Sequence, residues 1–192
     1  MPNQLQDYAG VVKGDDYNGG VLAAEELIAC GCKGIAGVFG LLTSNLYFDR
    51  SKGFIDTLKN NNIAIQPDWF YYQELTHDNA KNALTNIFAD VIRPDGVFFA
   101  NDTSAIAAVE FANENDISIP NELKIIGYSN DPRSRIITPS ITTIEQDPQQ
   151  FGLEVVAKLM TLIEAVKEPD NGLLSRVVVP VKLIKRTSTS VQ

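Results

Sequence analysis

The fold of this chain is decided by the stretch Pro94-Asp95-Gly96-Val97-Phe98-Phe99-Ala100-Asn101-Asp102. A short apolar run follows the turn and stops at two polar residues, and residues 103–112 then carry apolar side chains at helical spacing. We expect a buried strand and a helix on either side of this stop, with Asp102 as the N-cap of the helix. Asn101 would then lie at the carboxyl end of a parallel strand, where open α/β sheets bind ligands. The same pattern is also typical of a strand-to-helix turn that binds no ligand.

Strand-like and helix-like segments alternate along the whole chain. Short apolar runs predict strands, and longer runs with apolar positions three and four apart predict helices. Strands are expected at 9–13, 35–39, 69–72, 96–100, 124–128 and, as one or two strands, 176–184; helices are expected at 18–29, 48–59, 79–90, 103–114 and 148–166. Such alternation indicates βαβ units with right-handed crossovers. We therefore predict an α/β fold with a Rossmann-like parallel sheet and helices on both of its faces.

The composition limits the classes of function. A net charge of −8 disfavours direct binding to nucleic acid, because a polyanion would be repelled from most of the surface. No apolar run approaches the length that spans a membrane, and residues 1–7 do not resemble a signal peptide. We therefore expect a soluble, cytoplasmic protein with no membrane partner.

Signatures of catalysis, metal binding and cofactor binding are weak. Residues 34–40 are rich in glycine, but their spacing is that of neither a dinucleotide fingerprint nor a P-loop. The single histidine, His77, has no partner at a readable spacing, and we predict a solvated helix-capping role for it. Cys30 and Cys32 are too close for an unstrained disulfide and lack the further ligands that zinc requires. We predict reduced, structural cysteines, and no enzyme activity, metal or cofactor.

Several segments, taken in order, resemble the effector-binding core of lactose-repressor (LacI-type) transcription regulators. Each motif alone is weak, but the ordered set is specific and extends over most of the chain. The segments are residues 16–24 (DYNGGVLAA), 50–54 (RSKGF), 98–102 (FFAND), 126–130 (IGYSN) with 138–146 (TPSITTIEQ), and 182–189 (KLIKRTST).

The resemblance implies a periplasmic-binding-protein-like fold, in which two lobes close on a ligand held between them. Residues 14–144 would form a complete C-terminal lobe, residues 1–13 and 145–177 a remnant of the N-terminal lobe, and residues 178–192 a final strand that rejoins the C-terminal lobe, with a tail. The resemblance also implies that the chain lacks the DNA-binding head and the first half of the N-terminal lobe. The helix at 148–166 would then have lost much of its sheet, so its apolar face predicts self-association or missing chain.

The function implied by the resemblance is that of the effector-sensing region of a DNA-binding transcription regulator. A small molecule (a sugar, a sugar phosphate or a nucleobase-like compound) would shift a homodimer between DNA-binding states, and only the absent head would bind operator DNA. The alternative is a periplasmic solute-binding protein of a transport system, such as one for sugars. A βαβ enzyme of unfamiliar type is a third alternative.

Three polar residues match ligand contacts of the family. Arg50 matches an arginine that reaches the effector from the start of a helix, where a guanidinium can hold two oxygens; a surface arginine at a helix start is the alternative. Asn101 matches a position whose amide both donates and accepts hydrogen bonds. Gln146 matches the polar residue at the crossover between the lobes.

At three further positions this chain has a residue other than the one that the family usually carries, or a neighbour that would replace it. Leu75 falls where the family often places an aromatic ring that stacks on the ligand. Trp69 or one of residues 70–72, just before it, would supply such a ring here; packing in the core is the alternative for these aromatic residues. Ser129 stands where the family usually carries an aspartate that accepts hydrogen bonds from the effector, and a serine lacks that charge and bidentate reach. A phosphorylated or otherwise anionic effector is therefore favoured over a sugar anchored by the aspartate, because Arg50 would face less negative charge.

Overall fold

The structure is a computed structural model that describes residues 10–165 and 176–190. Within these ranges strands and helices alternate as predicted. In chain order the elements are β1 (Val11–Gly14), α1 (Asp16–Ala29), β2 (Ile35–Phe39), α2 (Asn45–Asn60), β3 (Phe70–Tyr72), α3 (His77–Ile87), β4 (Gly96–Phe99), α4 (Asp102–Glu114), β5 (Lys124–Tyr128), α5 (Pro132–Ile136), β6 (Thr142–Gln146), α6 (Pro148–Ala165), β7 (Arg176–Val179) and β8 (Val181–Ile184), and a short 3-10 helix, Pro67–Trp69, precedes β3.

The central sheet has six strands in the order β3-β2-β4-β5-β6-β8. Its first five strands are parallel, and β8 runs antiparallel to β6. β1 and β7 pair in parallel as a separate two-stranded sheet. The predicted α/β fold with a largely parallel sheet is confirmed, although β6 and the short α5 were not predicted. The division into lobes at 14–144, 1–13 with 145–177, and 178–192 stays a prediction, and its residues 1–9, 166–175 and 191–192 lie outside the described residues.

Two apolar layers cover the two faces of the central sheet. Because successive strand residues point to opposite faces, Val97 packs in one layer and Phe98 in the other. The first layer holds side chains of α3 and α4, such as Leu84, and the second holds side chains of α1 and α2, such as Phe54. Burial on both faces explains why the strands read as continuous apolar runs in the sequence.

α1 and α2 approach each other closely because glycines lie at their contact. A Cβ atom on Gly20 would overlap the backbone carbonyl oxygen of Arg50, and a Cβ atom on Gly53 would overlap that of Tyr17. The glycines of the 16–24 and 50–54 segments are therefore packing residues. Their contact places the start of α1 beside the side chain of Arg50.

The N-cap of α4 is Asn101, so the prediction of Asp102 is wrong by one residue. Asn101 has the extended backbone of an N-cap, and its Oδ1 accepts a hydrogen bond from the amide of Ser104 at 2.9 Å. Asp102 is already the first helical residue. Its carboxylate is buried and turned away from the first-turn amides, toward Thr143 on β6.

His77 does not cap α3, which corrects a second prediction. Thr76 has the extended backbone of the N-cap, and its hydroxyl accepts a hydrogen bond from the amide of Asn79 at 3.2 Å. Nε2 of His77 instead lies 2.7 Å from a carboxylate oxygen of Glu110 on α4. Hydrogen bonds with Glu110 and Asp78 raise the pKa of His77. The histidine therefore links two neighbouring helices.

Both cysteines are free thiols in the structure. Cys32 is buried, its Sγ lies 3.5 Å from the carbonyl oxygen of Asp95, and burial raises its pKa to about 12. A thiol with so high a pKa stays protonated, which fits a structural role. Within residues 10–165 and 176–190, no cluster of His, Cys, Asp or Glu could hold a metal ion, and no helix is long and apolar enough to cross a membrane.

α6 exposes an apolar face, as predicted for the 148–166 helix. It packs on β1 and β7 rather than on the central sheet. Seven of its large apolar residues are between 37% and 60% exposed, and they are Phe151, Leu153, Val155, Val156, Leu159, Met160 and Ile163.

Candidate ligand site at the carboxyl edge of the sheet

The loops after β2, β3, β4 and β5 meet at the carboxyl edge of the central sheet, where strand ends and helix starts converge in a parallel sheet. The structure brings most of the candidate ligand residues to this edge. They are Leu75 after β3, Asn101 after β4, Ser129 after β5, Gln146 at the end of β6, and Arg50, whose guanidinium reaches the edge from α2.

Trp69 lies at the opposite edge and is not brought to the site. It is 9% exposed, and its ring packs beside Gly34, which precedes β2. The reason is that β3 begins at Phe70, so Trp69 marks the amino end of the strand. Its indole belongs to the core.

Tyr72 has the position expected of an aromatic platform. It is the last residue of β3, it stacks on Phe39 with ring centroids 5.6 Å apart, and it is 39% exposed. Leu75 follows it and is half-buried against both apolar layers. Of residues 69–72, Tyr72 is therefore the one that presents a ring at the carboxyl edge.

Arg50 is the centre of a buried polar cluster rather than a surface residue. It is 6% exposed, its Nε donates to Asp16 Oδ1 at 2.8 Å, and its Nη1 donates to the carbonyl of Ala100 at 2.8 Å. The guanidinium carbon lies 3.5 Å from the ring centroid of Tyr128, whose hydroxyl donates to Asp16 Oδ1 at 3.1 Å. We call Asp16, Arg50 and Tyr128 the Arg50 cluster. It joins α1, α2 and β5 at the carboxyl edge.

The Arg50 cluster bears on the charge of the effector. The carboxylate of Asp16 compensates the guanidinium at hydrogen-bonding distance, so Arg50 does not offer an unpaired positive charge. Burial raises the pKa of Tyr128, so its hydroxyl stays protonated and donates to the carboxylate. The expectation that an anionic effector is favoured stays a prediction, and the pairing of Arg50 with Asp16 is an observation against it.

The side-chain amide of Asn101 forms hydrogen bonds within the protein through both its oxygen and its nitrogen. Oδ1 caps α4, and Nδ2 donates to the carbonyl of Leu75 at 3.0 Å. The side chain thus ties the loop after β3 to the start of α4. A ligand at this position would meet the second lone pair of Oδ1 and the second N–H of Nδ2, so the amide can still accept and donate.

Ser129 is exposed at the edge and has an unusual backbone. Its φ is 107° and that of Asn130 is 52°, both in the region that residues with a Cβ rarely adopt. The amide of Ser129 donates to the carbonyl of Ile144 at 2.7 Å, which anchors the turn to β6. The serine hydroxyl is thus presented to solvent on a fixed turn.

Gln146 lies where the chain passes between the two sheets. It lines a cavity of about 270 Å³ together with Gly14 at the end of β1, Pro148 at the start of α6 and Pro180 between β7 and β8. The chain passes from one sheet to the other after β1, after β6 and between β7 and β8, and these three passages lie around this cavity.

The structure adds two residues to the site that were not among the candidates. They are Asp16 and Tyr128, for which the sequence alone indicates no polar partner. Both stand inside segments that carry the family resemblance, Asp16 in 16–24 and Tyr128 in 126–130, which is the signal that could have found them.

A family model described as a periplasmic binding protein-like domain matches residues 24–189. The chain belongs to this family. Among curated relatives, the HTH-type transcriptional repressor PurR of Actinobacillus pleuropneumoniae serotype 3 (strain JL03) is 29% identical over 164 residues, which are 85% of this chain and 48% of the repressor. The chain thus spans about half the length of the curated relatives it matches.

Solved structures agree with this assignment. A LacI transcriptional regulator from Bacillus cereus subsp. cytotoxis NVH 391-98 matches with a TM-score of 0.88 and 22% identity, over 98% of this chain and 65% of that one. A transcription regulator from Lactobacillus plantarum matches with a TM-score of 0.81 and 26% identity, over 93% and 68%. The periplasmic-binding-protein-like fold and the resemblance to the effector-binding core of LacI-type regulators are confirmed. These relatives are transcription regulators rather than enzymes.

Proposed function

We propose that this chain is the effector-sensing region of a LacI-type transcription regulator. The observation that carries the proposal is the meeting of motif residues from distant parts of the chain at one sheet edge, in a fold shared with regulators. Arg50, Asn101 and Ser129 come from three different segments, and Gln146 joins them from the crossover between the sheets. The relatives named as repressors support the regulator over the solute-binding protein of a transport system.

In the whole regulator, the effector would be held between two lobes and would favour one angle between them. The crossings near Gln146 would carry that change to a cytoplasmic homodimer, and operator DNA would be bound by a separate head. Such a response requires that the effector bind one state more tightly than the other. We expect this chain alone not to bind operator DNA, in keeping with its net charge of −8.

We further propose that the effector is uncharged, such as a sugar or a nucleobase-like compound, rather than a sugar phosphate. Asp16 already compensates Arg50, so a phosphate would have to compete with an internal carboxylate. Tyr72 and Leu41 are 39% and 48% exposed near the carboxyl edge and offer an apolar surface to a sugar ring or a base.

Titration calorimetry tests the effector class with matched ligands. A panel of monosaccharides, the same monosaccharides with one phosphate, and nucleobases would be titrated into the purified full-length regulator that contains this chain. We expect a neutral compound to bind, and a sugar phosphate to bind no more tightly than its parent sugar. A phosphorylated sugar that binds about tenfold more tightly than its parent would contradict the neutral effector.

A deletion strain separates the regulator from the transport protein. Loss of a regulator should change transcript levels of a defined set of genes, and the change should depend on the effector. Unchanged transcripts together with lost uptake of one solute would instead support the solute-binding protein.

A further inference from the structure

The turn after β5, residues 129–131, is anchored through each of its backbone amides. The acceptors are the carbonyl of Ile144 for Ser129 at 2.7 Å, the hydroxyl of Thr143 for Asn130 at 3.3 Å, and Oδ2 of Asp102 for Asp131 at 2.6 Å. The hydroxyl of Thr143 in turn donates to Oδ1 of Asp102 at 2.7 Å, so two of the acceptors are held together. The backbone of the turn is therefore tied to both β6 and α4.

The side chain of Asn130 adds two bonds on the other side of the turn. Its Oδ1 accepts from Nη2 of Arg186 at 2.5 Å, and its Nδ2 donates to Oε1 of Glu145 at 2.7 Å. Both partners are themselves held in place. Arg186 donates through Nη1 to the carbonyl of Ile141 at 2.7 Å, and Glu145 pairs with Lys182 on β8 at 2.7 Å.

We propose that Asn130 is a positioning residue that holds Ser129 in its place at the effector edge. Two successive residues with positive φ are unfavourable, and such a backbone persists only where the surroundings over-determine it. Asn130 supplies that constraint from Arg186 and Glu145, while asparagine itself tolerates a positive φ better than most residues. The inference rests on the proposed function, in which the carboxyl edge binds the effector.

The anchoring is not needed for packing of the core. Ser129 is exposed, and Asn130 and Asp131 are only half-buried, so no apolar layer depends on this turn. The bonds instead connect the turn to Arg186 and, through Glu145, to β8, which follows the crossing between the sheets at Pro180. The position of Ser129 is therefore coupled to the segment that enters the central sheet from the second sheet.

Amide hydrogen exchange measured by NMR on the ligand-free chain tests the proposal. In Asn130→Gly, both side-chain bonds are lost while the positive φ stays allowed, so we expect the amides of residues 129–131 to exchange faster by about tenfold or more. The amide of Ile126 within β5 should keep its rate.

Asn62→Gly is the matched control, because Asn62 also has a positive φ, 57°, but lies exposed at the end of α2. It should leave residues 129–131 unchanged. Unchanged exchange of residues 129–131 in Asn130→Gly would overturn the proposal, and so would an acceleration shared equally by Ile126, which reports global destabilisation. Because the readout needs no effector, a failure of the effector titration would not be mistaken for a failure of this proposal.

Discussion

Replacing Asp16 by alanine should lower the free energy of unfolding by about 3–5 kcal/mol, the usual cost of breaking a buried ion pair from one side. The side chains of Asp16 and Arg50 are each 7% exposed, so the substitution leaves a guanidinium buried without its carboxylate. It also removes the acceptor of the Tyr128 hydroxyl. Neither group can be satisfied by bulk water without opening the contact between α1 and α2.

Burial, rather than the length of the ion pair, sets this magnitude. Lys13 and Asp49 form a pair of 2.7 Å, close to the 2.8 Å between Arg50 and Asp16, but their side chains are 33% and 27% exposed. Ion pairs that water can reach contribute about 0–1 kcal/mol. Asp49→Ala is therefore a matched control, since it removes the same group from a pair of nearly the same length.

Urea denaturation followed by the fluorescence of Trp69 measures the effect, because this single tryptophan lies in the core. At an m value of about 2 kcal/mol/M, a loss of about 4 kcal/mol lowers the midpoint by about 2 M. Asp16→Asn keeps an acceptor for Tyr128 and should lose less than Asp16→Ala. A loss in Asp16→Ala below about 1 kcal/mol, or equal to that of Asp49→Ala, would refute the reasoning from burial.

Three other predictions follow from single contacts. Gly20→Ala should lower the free energy of unfolding by about 1–3 kcal/mol in thermal melts, since its Cβ would overlap the backbone of Arg50; a loss near zero would mean that α1 and α2 separate easily. Leu159→Glu should reduce self-association in sedimentation velocity, because the residue is 53% exposed on the apolar face of α6; an equal sedimentation profile would exclude that face as the contact. The bond to Glu110 raises the pKa of His77, so its contribution to stability is full below the ordinary pKa of 6.5 and is lost as the pH rises through the raised pKa. His77→Gln should remove this dependence in urea melts at about pH 5.5 and about pH 8, and a dependence that persists would assign it to other groups.

Most of the fold could be predicted because buried parallel strands are short, continuous apolar runs. The expected strands at 35–39 and 124–128 coincide with β2 and β5 to the residue. β6 was not predicted because two of its three buried positions, Thr142 and Thr143, are polar and form hydrogen bonds instead of apolar contacts. A strand stabilised in this way lacks the apolar signal on which the prediction depends.

The site was less predictable because its partners lie far apart in the chain. The family resemblance placed Arg50 at a binding edge, but nothing local to Arg50 shows that Asp16, 34 positions earlier, pairs with it. The prediction of Trp69 as a ring at the site was wrong for a different reason. An aromatic run of four residues does not show where the strand begins, and only its last residue, Tyr72, reaches the carboxyl edge.

α6 shows what helical periodicity leaves open. Its apolar residues recur on one face, as those of α1 do, yet Leu27 on α1 is fully buried and Leu159 on α6 is 53% exposed. Periodicity identifies the face that packs against a partner and carries no information on whether the partner is present. Within the described residues, α1 is covered by the central sheet, whereas α6 packs mainly on the two strands β1 and β7. A further chain segment or a second copy that covered this face would therefore stabilise the fold in proportion to the apolar area buried, at about 25 cal/mol per Å².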